Sequence, residues 1–330
     1  MLWKPKDGKA MCVLCAHRCV IEEGRRGLCG VRENSGGTLY ALTYGRLISR
    51  AVDPIEKKPL YNFLPGTRSY SIAAAGCNFF CDFCQNWQIS QVTHGGRDLY
   101  GEEFSAEEVV AEAKACGCAS VSYTYTEPTI FFEFAYDAAR LAHQSGLKNV
   151  FVTNGYQTPE TVEKMTGLVD AANVDLKAFS DDFYRKRCRA RLAPVLDAIR
   201  LMHQSGIFIE VTTLVIPGEN DSREELKQLA GFIASVSPDI PWHVSRFHPD
   251  YKLQDADATP PETIFDAAEI GKASGLRFVY AGNLPAGKYE HTYCPGCGAL
   301  VLERSGFASR NAGLDGRKCR KCGRSLNVIV

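Results

Sequence analysis

The distribution of cysteine constrains this chain more than any other feature. Of 14 cysteines, all but Cys116, Cys118 and Cys188 fall into three tight groups. The first is Cys12-Val-Leu-Cys15-Ala-His17-Arg-Cys19, followed by Cys29. The second is Cys77-Asn-Phe-Phe-Cys81-Asp-Phe-Cys84, and the third pairs Cys294-Pro-Gly-Cys297 with Cys319-Arg-Lys-Cys322. Disulfide scaffolds scatter their cysteines as staples. Grouped thiols behind an N-terminus with no apolar signal core point instead to metal binding in a reducing cytosol.

The middle group directly follows the apolar, strand-like run Tyr70–Gly76. Thiolates on a loop suit zinc or iron–sulfur. Structural zinc closes with four ligands, and this loop offers an odd number. A [4Fe-4S] cluster held by three cysteines keeps one iron open, so a reactive cluster is favoured. The alternatives are zinc completed by a distant residue such as His94, or three free thiols. For Cys12, Cys15, Cys19 and Cys29, zinc is the first choice and a second iron–sulfur cluster the next. Their order is not the ferredoxin run. The two C-x2-C knuckles of the tail form a zinc-ribbon pattern, whose four thiolates leave no open position and so predict a structural metal. Cys116 and Cys118 end a helix and read as structural. Cys188, inside a basic turn, reads as packed or superficial, with a second active-site thiol as the sharper alternative.

Between residues 70 and 283 the pattern alternates between strand and helix. Strands are predicted over 71–75, 120–125, 149–153, 172–176, 207–216, 242–247 and 276–280. Capping boxes at Ser105–Glu108, Ser222–Glu225 and Thr259–Glu262 start helices, as does Thr158-Pro159 with proline at the first helical position. Such alternation predicts a parallel sheet closed or partly closed into a barrel, with its site on loops after the strands. Those loops carry Cys77–Cys84, Thr124–Pro128, Thr153–Tyr156, Asp175–Lys177, Glu219–Asp221, His248–Tyr251 and Asn283. At 330 residues the chain has length for about two domains. The expected organisation is a Cys-rich lead-in over 1–69, a barrel over 70–283 and a four-cysteine tail over 284–330.

Lys+Arg and Asp+Glu balance at 38 each, and charged residues make up 23%. No basic field invites nucleic acid. Nor does any run approach the ~18 apolar residues of a membrane span. Phosphate loops, strand-linked G-x-G-x-x-G, H-E-x-x-H and G-x-S-x-G are not found in the sequence, which argues against those nucleotide-binding and hydrolytic classes.

Cys77-x3-Cys81-x2-Cys84, with aromatic Phe83 before the last cysteine, resembles the signature of radical S-adenosylmethionine (SAM) enzymes. Its continuation through Gln85-Asn-Trp87 is similar to pyruvate formate-lyase activating enzymes. The N-terminal cysteines, Tyr-Thr-Tyr-Thr-Glu-Pro, Val-Asp-Leu-Lys, Phe-His-Pro-Asp-Tyr and the tail together resemble the radical SAM enzymes of the AmmeMemoRadiSam system over nearly the whole chain. The resemblance implies an α/β partial (β/α)6 TIM-like barrel. Cys77, Cys81 and Cys84 would be the cluster ligands, with SAM on the open iron through its amino and carboxylate groups. Thr126 and Glu127 stand in the Gly-Gly-Glu-Pro element that grips the methionine end, here Tyr125-Thr126-Glu127-Pro128. Val152, Thr153 and Asn154 match third-strand SAM contacts, Asp175 and Lys177 the Asp-Leu-Lys element, and His248 the histidine near the ribose. Phe83 and Gln85 would touch SAM beside the last ligand.

The implied chemistry is reductive cleavage of SAM to a 5′-deoxyadenosyl radical that abstracts hydrogen from a small-molecule or peptidyl substrate, with flavodoxin or ferredoxin as electron donor. No acid–base residue is assigned, because the cofactor carries the hard chemistry. Memo-like and Ammecr-like partner proteins are the implied associates. Activation of a glycyl-radical enzyme is the alternative, and a metal-stabilised binding module is a rival of a different class.

Overall fold

Runs of apolar and small residues buried on both faces behave as parallel strands do, without alternation. In Arg68–Ala73 every residue after the first is buried, and in Ser120–Tyr123 all four are. The computed structural model describes residues 2–94 and 99–330; Met1, where the expected lead-in begins, lies outside them. All seven expected strands are present: β1 (Arg68–Ala73), β2 (Ser120–Tyr123), β3 (Lys148–Thr153), β4 (Ala171–Asp175), β5 (Phe208–Val215), β6 (Trp242–Arg246) and β7 (Val279–Gly282). The chain has an α/β fold with a mostly parallel central sheet.

Two compact units interleave along the sequence. The first takes the chain up to Asp53, Arg68–Ala172 and Arg185–Phe208; the second takes Pro54–Thr67, Asn173–Tyr184 and Ile209–Val330. In the first, β1, β2 and β3 pair in parallel, with Tyr70 opposite Val121 and Val121 opposite Asn149. The helices between them are α1 (Ala106–Ala115) and α2 (Phe132–Gln144). Ser105 starts α1 with a complete capping box. Helix α3 (Pro159–Met165) follows β3, with Thr158 accepting a hydrogen bond from Thr161 N and Pro159 at the first position.

The N-terminal segment belongs to this first unit. Trp3–Lys6, Lys9–Cys12 and Val20–Ile21 form an antiparallel sheet. Arg32–Ser35 and Thr38–Ala41 form a hairpin whose two-residue turn is Gly36-Gly37. Both glycines have positive φ, 60° and 76°, the conformation a type I′ hairpin turn demands.

In the second unit, β5, β6 and β7 pair in parallel, with α5 (Arg223–Val236) and α6 (Pro261–Ala273) between them; α4 (Leu192–Gln204), which precedes β5 in the chain, belongs to the first unit. Gly271 of α6 lies against Trp242, where an added Cβ would stand 2.8 Å from the indole. One predicted start fails: α6 has Pro260 as N-cap, with no side-chain cap. Thr259 Oγ1 instead donates to Val215 O (2.6 Å) and accepts from Phe247 N (3.1 Å). The Ser222 cap accepts from Glu225 N, but the Glu225 carboxylate turns to Phe179 N (2.7 Å).

The tail is part of the second unit. Thr292–Tyr293, Leu300–Ser305 and Ala308–Asn311 form a small antiparallel sheet. Val301, Leu302, Leu314, Leu326 and Val328 bury against Tyr61, Phe278 and Tyr280. Arg304 is buried there, its guanidinium 4.3 Å over the Tyr61 ring and bonded to Thr292 Oγ1 at 2.8 Å. Among the described residues, no helix is long and apolar enough to cross a membrane.

Candidate active site

The chain leaves β1 through Ala74-Ala75 and turns at Gly76, whose φ is 102°. A Cβ there would stand 2.7 Å from Thr93 Oγ1 and 3.2 Å from Cys29 O, so only glycine fits. The loop Cys77–Cys84 follows. Backbone bonds hold it open: Phe80 N to Cys188 O (3.1 Å), Asp82 N to Arg187 O (3.2 Å) and Gly76 N to Ile89 O (2.9 Å). Cys188 is fully buried beneath the loop, and its carbonyl, rather than its thiol, makes that bond.

Cys81 is buried, while Cys77 and Cys84 are partly so. Phe79 N lies 3.3 Å from Cys77 Sγ, and Ser90 Oγ lies 3.1 Å from Cys84 Sγ. Burial pushes the Cys77 thiol well above its ordinary value, and the Glu127 and Cys81 charges add to it. A cation at the three sulfurs would reverse that. His94, the alternative zinc ligand, bonds the Cys77 carbonyl through Nε2 (3.0 Å) and stacks on Phe80 at 3.8 Å. Among the described residues, three or more metal-ligating atoms within 4.8 Å of one another occur only at Cys294, Cys297, Cys319 and Cys322.

The loops after β2 and β3 converge on the same place. Thr126 Oγ1 donates to Ala74 O (2.7 Å), tying the second loop to the end of β1. Buried Glu127 is the hub. Its Oε1 accepts from Thr129 N (3.0 Å), Thr129 Oγ1 (2.5 Å) and Thr153 Oγ1 (2.8 Å), and its Oε2 from Asn154 N (2.8 Å). Burial raises the Glu127 carboxyl, and these donors oppose that rise. Asn154 Nδ2 then donates to Asn78 Oδ1 (2.7 Å) and lies 3.9 Å from Cys77 Sγ. Glu127, Thr153 and Asn154 are thereby brought to Cys77.

Tyr125 has φ 63°, a left-handed conformation costing a non-glycine residue about 1–2 kcal/mol. Its hydroxyl bonds Asp53. Of the other expected residues, Phe83 is buried, Val152 half-buried and Gln85 exposed. Asp175, Lys177 and His248 lie in the second unit. There Lys177 Nζ meets Asp175 Oδ2 at 2.9 Å, and His248 is exposed just beyond β6.

Sequence reasoning missed Asn78 and Gln157, and it placed His17 with the N-terminal cysteines without its link to Asn78. His17 Nε2 meets Asn78 O at 2.9 Å, and Gln157 Nε2 reaches Thr129 Oγ1 (2.8 Å) and Thr153 Oγ1 (2.6 Å). Asn78 could have been suspected from its place beside Cys77, and His17 from its place among the N-terminal cysteines; Gln157 carries no local signal.

In the tail, Cys294 Sγ lies 3.6 Å from Cys322 Sγ, and Cys297 Sγ 3.7 Å from Cys319 Sγ. Four thiolates at ~2.3 Å from one zinc stand about 3.8 Å apart, so the group is sized for a single ion.

A loop with an odd number of cysteines after the first of a series of parallel strands, backed by a buried glutamate, defines a class. The profile described as Radical SAM superfamily matches residues 71–230. Uncharacterized protein MJ0808 of Methanocaldococcus jannaschii is 43% identical over 330 residues, covering 99% of this chain and 98% of that one. The chain belongs to the radical SAM superfamily, and membership implies a [4Fe-4S] cluster and SAM. It has relatives among activating enzymes: the pyruvate formate-lyase-activating enzyme of Clostridium pasteurianum is 24% identical over 217 residues, 60% of this chain and 87% of that protein. In fold, a radical SAM methyltransferase from Sphaerobacter thermophilus aligns with TM-score 0.52 and 18% identity, over 66% of this chain and 67% of that one.

Proposed function

We propose that Cys77, Cys81 and Cys84 hold a [4Fe-4S] cluster whose remaining iron binds SAM. Reduced, the bound pair supplies one-electron cleavage of SAM to methionine and a 5′-deoxyadenosyl radical, which takes hydrogen from a small-molecule or peptidyl substrate. The observation that carries this reading is the bonded path Glu127–Asn154–Asn78 ending at Cys77. It supports a preformed methionine-end pocket beside the open iron, and rigid placement is what radical chemistry needs most. In that pocket Thr126, Glu127, Val152, Thr153 and Asn154 position SAM and exclude water, and Phe83 and Gln85 flank it. Asp175, Lys177 and His248, in the second unit, are proposed as SAM contacts on the motif resemblance alone.

Flavodoxin or ferredoxin is the proposed electron donor. The AmmeMemoRadiSam setting, with Memo-like and Ammecr-like partners and a cytoplasmic location, is supported by the whole-length motif resemblance. The tail cysteines are proposed to hold a structural zinc. Likeness to activating enzymes supports a second reading, hydrogen abstraction from a glycine of a partner enzyme.

Anaerobic reconstitution with SAM and dithionite tests the core of the proposal. Wild type is expected to release 5′-deoxyadenosine and Cys81→Ala none. Failure of wild type, or equal release by the variant, overturns it. Substrate-dependent 5′-deoxyadenosine without a glycyl-radical signal on any partner separates the first reading from the second.

A further inference from the structure

The chain around the tail's second pair of cysteines is crowded with charge of one sign. Arg317, Lys318, Arg320, Lys321 and Arg324 fall within eight residues, and all five are exposed. The backbone that carries them is tied down: Arg320 N donates to Gly313 O (2.9 Å), Leu326 N to Arg317 O (2.8 Å) and Cys319 N to Arg324 O (2.9 Å). Leu314, Cys319 and Leu326 are buried in the same segment. Gly296 leaves room for Arg324, whose Cδ would lie 2.9 Å from an added Cβ. Among the described residues, none of the five side chains makes an ion pair or a hydrogen bond. Other surface cations take carboxylates: Lys9 meets Glu22 at 2.6 Å, Arg277 meets Asp239 at 2.6 Å, and in the tail itself Arg310 meets Glu303 at 3.0 Å.

Offsetting the metal site accounts for only part of this charge. One zinc with four thiolates carries about −2, so the five cations and Asp315 leave a surplus of about +2 with the ion bound, and a larger one without it. The excess is also local. Residues 284–330 hold eight Lys and Arg against three Asp and Glu; with 38 of each in the chain, residues 1–283 hold 30 against 35. We propose that this face of the tail docks the acidic surface of a partner protein, whose carboxylates meet the five cations. Like charges fixed side by side repel one another, and a ligand of opposite sign relieves that repulsion. The backbone is ordered beforehand, so docking carries no loop-ordering cost. Recognition through exposed charge gives fast association that salt weakens.

Nucleic acid is the other polyanion to weigh. Unpaired bases are held by stacking on aromatic rings, and residues 308–330 contain no Phe, Tyr, Trp or His. A strand or duplex running past the patch would also meet a chain whose remainder is net acidic. An acidic patch on a folded protein can match the cations and end where they end.

Fluorescence anisotropy on the full chain tests this, with a labelled oligoglutamate peptide and, as rivals, labelled single-stranded and duplex RNA of equal charge. Oligoglutamate should bind wild type and release as salt is raised. Arg317→Glu/Arg320→Glu should weaken that binding about tenfold, with metal content and thermal midpoint kept. Should this variant fail to fold, Arg317→Gln/Arg320→Gln/Lys321→Gln takes its place, with an expected loss of about fivefold. Wild type that does not bind oligoglutamate overturns the proposal, as does equal binding by the folded variant. Equal weakening by Arg200→Glu/Arg223→Glu, whose cations lie on α4 and α5, also overturns it, since net charge alone would then explain the attraction. RNA held more tightly than oligoglutamate at the same salt, and lost in the same variants, overturns it in favour of nucleic acid. SAM cleavage is no part of the readout, so failure here leaves the proposed function standing.

Discussion

Glu127 shows how far one side chain can organise a site. A buried carboxylate with four close donors is replaced poorly by an amide, which brings two donors of its own and can accept only at one oxygen. Glu127→Gln should cost about 1–3 kcal/mol and raise the apparent KM for SAM while the cluster still assembles. Urea unfolding and initial-rate kinetics check the two parts. Glu127, Thr153 and Asn154 were legible in the sequence because each sits in a short motif at a strand end. Asn78, Gln157 and Asp53 were not, because their partners lie 76, 28 and 72 positions away and no local pattern announces them. Tyr125 was legible as a departure from glycine, and its left-handed backbone was not. Tyr125→Gly removes the strain and the bond to Asp53 together, whereas Tyr125→Phe removes the bond alone. Both variants lose that bond, so the phenylalanine variant, which alone keeps the strain of about 1–2 kcal/mol, should be the less stable of the two in urea unfolding.

At the scale of elements, the strand and helix sequence could be read because buried parallel strands and capped helices leave periodic signals. The start of α6 was misread because Thr259 has a better use: it ties the ends of β5 and β6, and proline at 260 takes the cap. Gly271 explains a helix-interior glycine that propensity disfavours by about 1 kcal/mol, since Trp242 occupies the space of its Cβ. Gly271→Ala should destabilise by about 1–3 kcal/mol, seen as a lower urea midpoint. The N-terminal segment is pinned to α3 by Arg18, whose guanidinium meets both oxygens of Glu160 at 3.0 and 2.8 Å. The hydrogen bond from Arg18 holds the Glu160 carboxyl at about 2, below its ordinary 4.5. A depressed carboxyl stabilises the fold above its unfolded value and loses that contribution as pH falls through the folded one. Wild type should thus be more stable than Glu160→Gln above pH 4.5, with the gap closing between pH 4.5 and 2. A gap that stays constant over that window in acid unfolding would deny the pair its role.

Over the whole molecule, the three cysteine groups were legible as separate sites, since each is compact in sequence. The interleaving of the two units was not, because it is set by long-range packing such as that of Tyr61 with the tail. That packing makes the tail a support of the second unit. Cys319→Ala should lower the thermal midpoint by on the order of 10 °C, several kcal/mol at ~2–4 °C each. Iron content and SAM cleavage at low temperature should remain. Calorimetry beside an iron assay tests this, and parallel loss of both would place the tail in the chemistry.

The bonds from Phe80 N to Cys188 O and from Asp82 N to Arg187 O are made by backbone alone, so they do not depend on iron. Oxygen strips exposed cluster iron, and many metal loops collapse when emptied. A loop held in shape by its neighbour's main chain is ready to be refilled, since the ordering cost of binding is already met. Damage and repair then become a cycle of loading, without an unfolding step between rounds.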